Sequence, residues 1–156
     1  MNADRRRIVA DAAVTLGGLL LVGSAFAHWV RRGAGSRLRG HALVDAIIAT
    51  SRHLPGLSAG RLTVLWYLVP AAGAASWIAL GLGGAASRAT RVVAVVAVVV
   101  ALGSVAAIAS LTGYARLGPG AWMALTGAGA LVVGSWVLAA RRGTQDPSVR
   151  MAGRGR

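Results

Sequence analysis

Four apolar stretches, at residues 8–30, 62–82, 92–112 and 121–140, make up most of the 156-residue chain, and arginines stand at nearly all of their ends. A helix needs about 20 apolar residues to cross the hydrocarbon core of a bilayer, so each stretch has the length of a span. The third stretch is rich in valine, which favours strands by propensity. Its length argues against a strand, because strands average about 5–6 residues. The pattern predicts an all-α integral membrane protein: a four-helix transmembrane bundle with short connections and antiparallel neighbours.

Composition points the same way. Hydrophobic residues are 56% of the chain and mean hydropathy is +0.64, against about 45–50% apolar in a typical soluble domain. The net charge is +13, all 17 basic residues are arginine and all four acids are aspartate. Abundant Ala, Gly, Val and Arg without Lys or Glu suggests GC-rich coding, hence a bacterial source and a plasma-membrane location. The arginines lie at span ends and not along one soluble face, so they read as span flanks, and no nucleic-acid partner is expected. There is no cysteine, which excludes disulfides, cysteine metal sites and thiol nucleophiles.

The ends and the first loop are polar. Residues 1–7 form a basic leader with Arg5, Arg6 and Arg7. Leader, apolar run and the Ala25-Phe26-Ala27 triplet also resemble a cleavable secretory signal; the run is long for a signal core, and an uncleaved first span is the preferred reading. Within the first loop, residues 41–54 show helical spacing, with Leu43, Ile47, Thr50 and Leu54 on one side and His41, Asp45 and Arg52 on the other. That predicts an amphipathic helix lying at the interface, ended by Pro55-Gly56. Pro70 falls inside the second span and should kink it. The tail, residues 141–156, is basic and expected to be disordered.

In lipid, spans associate through close packing of small residues. Two seams suggest themselves: Ala71, Ala75, Ala79 and Gly83 on the second span, and Gly120, Gly127 and Gly134, with Ala130, on the fourth. In an up-down bundle Trp29, Trp66, Tyr67, Tyr114 and Trp122 fall at one bilayer face, as an interfacial aromatic belt, with Trp136 at the other face and Trp77 deeper. The side holding both termini carries ten arginines (Arg5, Arg6, Arg7, Arg88, Arg91, Arg141, Arg142, Arg150, Arg154, Arg156) and the other carries seven (Arg31, Arg32, Arg37, Arg39, Arg52, Arg61, Arg116). The positive-inside rule then places both termini in the cytoplasm.

The run Trp29-Val30-Arg31-Arg32-Gly33, then Ser36-Arg37, then the amphipathic segment and Trp66-Tyr67-Leu68-Val69-Pro70, resembles uncharacterised small four-span membrane proteins of high-GC Gram-positive bacteria. The resemblance covers residues 8–85. It implies the four-span fold and an outward-facing first loop, and it brings no reaction. His28 departs from it, standing where a proline or another apolar residue is expected.

Few residues could carry chemistry. Asp11 is the one acid near a span's apolar core, and an intramembrane ionisable group is a functional candidate, for instance as a proton or cation site. Asp11 also lies one turn from Arg7, where an i,i+4 pair can form, and near the headgroup level. His41 and Asp45 share that spacing and could contribute to a metal site with His28 or His53. A closed zinc site wants four ligands, and a solvated polar face is the preferred reading. No H-E-x-x-H, P-loop, G-x-S-x-G or G-x-G-x-x-G element occurs. The expectation is therefore no catalytic, cofactor or metal site and no enzyme activity.

Arg37, Arg39 and Arg52, beside Asp45, form the expected contact surface for anionic phospholipid headgroups or a protein partner. The preferred role is a non-catalytic accessory, scaffold or envelope component in the bilayer, with a partner protein or further copies of itself. The alternatives are an oligomeric transport or channel component, and a membrane enzyme acting on lipid.

Overall fold

The computed structural model describes residues 3–32, 39–40, 42, 45, 49, 59–82, 86–113 and 116–139. Four helices carry the fold: α1 Ala3–Ser24, α2 Ala59–Gly81, α3 Ala86–Thr112 and α4 Pro119–Ala139. No strand occurs among the described residues, and the all-helical expectation holds. Within α3, the segment Arg88–Ser110 is 23 residues of high hydropathy. At 1.5 Å per residue it measures about 34 Å, enough to cross a hydrocarbon core of about 30 Å. Four spans were expected, but among the described residues this is the one helix both long and apolar enough to cross; in α1, Ile8–Ser24 is apolar but shorter.

Helix boundaries follow local chemistry. Pro119 opens α4, where its missing N–H costs nothing. Gly113 follows α3 with a φ of +83°, and its N–H donates to the Ala109 carbonyl at 2.7 Å. That left-handed closure suits glycine. Pro70 lies inside α2, so the Trp66 carbonyl lacks its helical donor.

The first apolar stretch was expected to be helical to Val30, but α1 stops at Ser24. The Ser24 hydroxyl donates to the Leu21 carbonyl at 2.7 Å. Three turn bonds follow, from Ala25 to Val22, Phe26 to Gly23 and Ala27 to Ser24. Residues 25–30 form a turn and a bridge segment instead of more helix, with Trp29 and Val30 buried and Phe26 exposed.

The helices touch in a closed ring, α1 against α2, α2 against α3, α3 against α4 and α4 against α1. Glycine permits two close backbone approaches between helices. A Cβ on Gly17 would lie 2.7 Å from the Gly127 carbonyl oxygen, and one on Gly73 would lie 2.7 Å from that of Gly18. Side α1 therefore meets α4 and α2 backbone to backbone.

Small residues fill much of the interior: Ala10, Ala72, Ala79, Ala94, Ala97, Ala101, Ala124 and Ala128 are buried. Larger apolar side chains point outward on the same helices, among them Leu16, Leu19, Ile78, Val92, Val95, Val99, Leu102 and Val133.

The glycine seam on α4 is as expected: Gly120 abuts Trp29, Gly127 abuts Gly17, and Gly134 abuts Val14 and Ala10. The seam on α2 is rotated from the expected one. Ala71 is exposed and Ala75 half-buried, while Val69, Ala72, Gly73, Ser76 and Ala79 face inward. Gly83 lies outside the described residues.

Candidate functional site

One end of the ring is closed by chain that belongs to no helix. After α1 turns at Ser24, Trp29 drops into the interior and is fully buried. Its indole N–H donates to the Ser24 carbonyl at 2.6 Å. Its ring meets Trp66 of α2 edge-on, with centroids 4.5 Å apart and planes at 62°. Gly120 leaves room for it at the start of α4. The expected belt is thus partly inverted. Trp29 and Trp66 seal the end from within, and Tyr67 and Trp122 are exposed. Tyr114 lies outside the described residues.

The α3–α4 connection pairs with this segment. The Gly118 N–H donates to the Trp29 carbonyl at 2.7 Å, the Arg31 N–H to the Arg116 carbonyl at 2.7 Å, and the Gly120 N–H to the His28 carbonyl at 2.9 Å. The outcome is an antiparallel bridge between Val30 and Leu117, with a second between His28 and Arg39. Val30 is buried and Leu117 half-buried, while their neighbours Arg31 and Arg116 are exposed. His28, Arg32 and Arg39 are exposed beside them, so the closed end carries a cationic surface.

Of the residues singled out from sequence, Arg39 lies on this surface, opposite His28. Asp45 is exposed and helical, as are Ala42 in part and Ala49. These three positions belong to the expected interfacial helix. His41, Arg37, Arg52, His53 and the rest of that helix lie outside the described residues. Asp11 is half-buried on α1, and its backbone carbonyl accepts the Thr15 hydroxyl at 2.9 Å. No group of three His, Cys, Asp or Glu side chains gathers among the described residues.

Sequence reasoning put Arg31 and Arg116 on one side of the bilayer without pairing them. The pairing joins residues far apart in the chain, and no local pattern announces it. The chemistry this end offers is anion binding by guanidinium groups, which stay charged at any physiological pH.

Compared with protein-family models, with curated proteins and with solved structures, the chain matches none.

Proposed function

We propose that the chain is a multi-pass integral membrane protein of the bacterial plasma membrane, with both termini in the cytoplasm and a non-catalytic accessory, scaffold or envelope role. The observation that carries this reading is the placement of side chains by size. Alanine, glycine and serine are frequent in the interior, beside Val14, Leu21, Val69, Val100, Ile108 and Leu131, while many of the other valines, leucines and isoleucines face out along the helices. In water each such large side chain left exposed forgoes about 1.5–3 kcal/mol; in lipid it loses nothing, and small residues supply the close contacts that hold spans together. Less than half of the most apolar stretch of α3 is buried, unlike the core helix of a soluble protein.

The interior supports a scaffold over a transport path. A solute path needs polar groups converging at depth. Three of the five buried hydroxyls, those of Ser24, Ser76 and Ser135, instead donate to carbonyls three residues back, at 2.7, 2.6 and 2.9 Å; the other two, Thr90 and Ser104, both lie on α3. The resemblance noted at residues 8–85 agrees with this reading and adds no activity.

The test is alkaline carbonate extraction of membranes, followed by single-cysteine labelling in the cysteine-free chain. Retention in the pellet is expected, with labelling from outside at Ser36→Cys and Ala115→Cys and from inside at Ser87→Cys and Ser148→Cys. Release by carbonate overturns the membrane reading. Opposite-face labelling of positions 36 and 115 overturns the span count, and outside labelling at 87 overturns the orientation.

A further inference from the structure

Arg31 and Arg116 stand directly opposite each other in the loop pairing that closes one end of the helix ring. The Val30–Leu117 bridge and the flanking bonds set this register. The Arg31 N–H donates to the Arg116 carbonyl at 2.7 Å, which ties the two backbones together, while the Arg116 N–H turns back to the Gly113 carbonyl at 3.1 Å. Both arginines are exposed, and among the described residues neither has a carboxylate partner. Like charges so opposed destabilise the pairing. The backbone nevertheless holds them together, with Trp29 locked beneath. Arg39 and His28, paired across the neighbouring bridge, add donors on the same end.

We propose that Arg31 and Arg116 form a headgroup clamp for an anionic phospholipid, each guanidinium donating to the phosphate diester. This rests on the membrane reading above and names the ligand of its closed end. A phosphate between two guanidiniums turns their repulsion into two charge-assisted contacts, the geometry for which arginine is best suited.

Lipid is the occupant because of what surrounds the pair. Phe26, Tyr67 and Trp122 are exposed at this end, where aromatic rings sit at headgroup level. Farther from this end along α1, Leu19 and Leu16 are also exposed. A soluble anion would use the arginines and leave that apolar flank without a role.

The experiment is native mass spectrometry of the full chain in mild detergent, titrated with phosphatidylglycerol, with phosphatidylcholine and with inorganic phosphate. Wild type is expected to retain phosphatidylglycerol in preference to phosphatidylcholine, with inorganic phosphate failing to displace it at equal concentration. The Arg31→Gln/Arg116→Gln double variant should weaken phosphatidylglycerol binding about tenfold, the scale of losing charge-assisted contacts. Arg88→Gln/Arg91→Gln, at the other end of α3, should leave it unchanged.

A loss below about threefold in the first variant, set against those charge-assisted contacts, overturns the clamp, as does an equal loss in the second. Equal retention of phosphatidylcholine overturns the preference for an anionic lipid, and displacement by inorganic phosphate overturns a lipid occupant. Glutamine keeps the backbone bonds and removes the repulsion, so the variant should fold; unchanged tryptophan fluorescence checks this. The two readings fail separately: release by carbonate sinks the membrane reading, whereas a membrane-retained chain with unaltered lipid binding sinks the clamp alone.

Discussion

Gly17 and Gly127 meet backbone to backbone: a Cβ on Gly17 would lie 2.7 Å from the Gly127 carbonyl oxygen, and one on Gly127 would lie 2.8 Å from that of Gly17. The α1–α4 interface depends on this reciprocal absence of side chains, because dispersion contacts between helices grow as backbones approach. Gly17→Ala and Gly127→Ala should each destabilise by about 1–3 kcal/mol, the usual cost of overpacking. Gly129 on the same helix has nothing within 4 Å of its Cβ position. Gly129→Ala should therefore be neutral or stabilise by up to about 1 kcal/mol through helix propensity. Unfolding in mixed micelles reads all three, and equal effects would refute the reciprocal contact.

Trp29 gives the second expectation. It fills the end of the ring and donates to the Ser24 carbonyl at 2.6 Å. Trp29→Phe keeps most of the volume and loses the donor, so about 0.5–1.5 kcal/mol should be lost. Trp29→Ala also opens a cavity and should cost about 3–5 kcal/mol. The emission of Trp29 should lie to the blue of exposed Trp122 and Trp136. A Trp29→Ala variant as stable as wild type would mean the closed end contributes nothing.

Much of the helical layout was legible because hydropathy and length decide it: the stretch at 92–112 lies wholly within α3. The α4 seam was legible because Gly120, Gly127 and Gly134 keep one face over two heptads. The α2 seam was not. Alanine is so frequent there that several faces look alike, and the choice falls to Gly73 meeting Gly18 on another helix. The closed end was the least legible part. An aromatic at a span end reads as interfacial, yet Trp29 turns inward because α1 stops at Ser24 and leaves a space that only a large ring fills. The opposition of Arg31 and Arg116 depends on that same turn, so it too lies beyond local pattern.

Gly113 tests the α3–α4 connection. Its φ of +83° is left-handed, and nothing lies within 4 Å of its Cβ position. Any penalty on substitution is therefore torsional and not steric crowding by neighbours. Gly113→Ala should cost about 1 kcal/mol and Gly113→Val more, with Gly113→Asn mildest, since asparagine tolerates this region. Thermal unfolding of the three variants in one detergent checks the order. A Gly113→Val as stable as Gly113→Asn would contradict the left-handed closure.

Asp11 gives a fourth expectation. It is half-buried one turn before Thr15, whose hydroxyl bonds the Asp11 backbone carbonyl and not its carboxylate. Asp11→Asn keeps that bond. If α1 spans the bilayer as proposed, Asp11 lies near its end, where a charge is inexpensive to keep or lose, so insertion and abundance should stay near wild type by membrane immunoblot. Loss of a transport phenotype at unchanged abundance would instead assign Asp11 a role in moving ions.

Two buried hydroxyls on α3 provide the last test. Among the described residues, Thr90 Oγ1 and Ser104 Oγ are buried without a hydrogen-bond partner, whereas Ser76 and Ser135 satisfy theirs within their own helices. An unpaired buried hydroxyl carries a desolvation penalty of about 1–3 kcal/mol. Thr90→Val has nearly the same shape and removes that penalty, so it should stabilise by about 1 kcal/mol or more. Ser104→Ala should gain less, because it also leaves a small void. For comparison, Ser76→Ala removes a satisfied donor and should not stabilise. If Thr90→Val instead destabilised as a satisfied hydroxyl would, Thr90 must donate to a group in the assembled protein, and that group would become the first place to look for a bound partner.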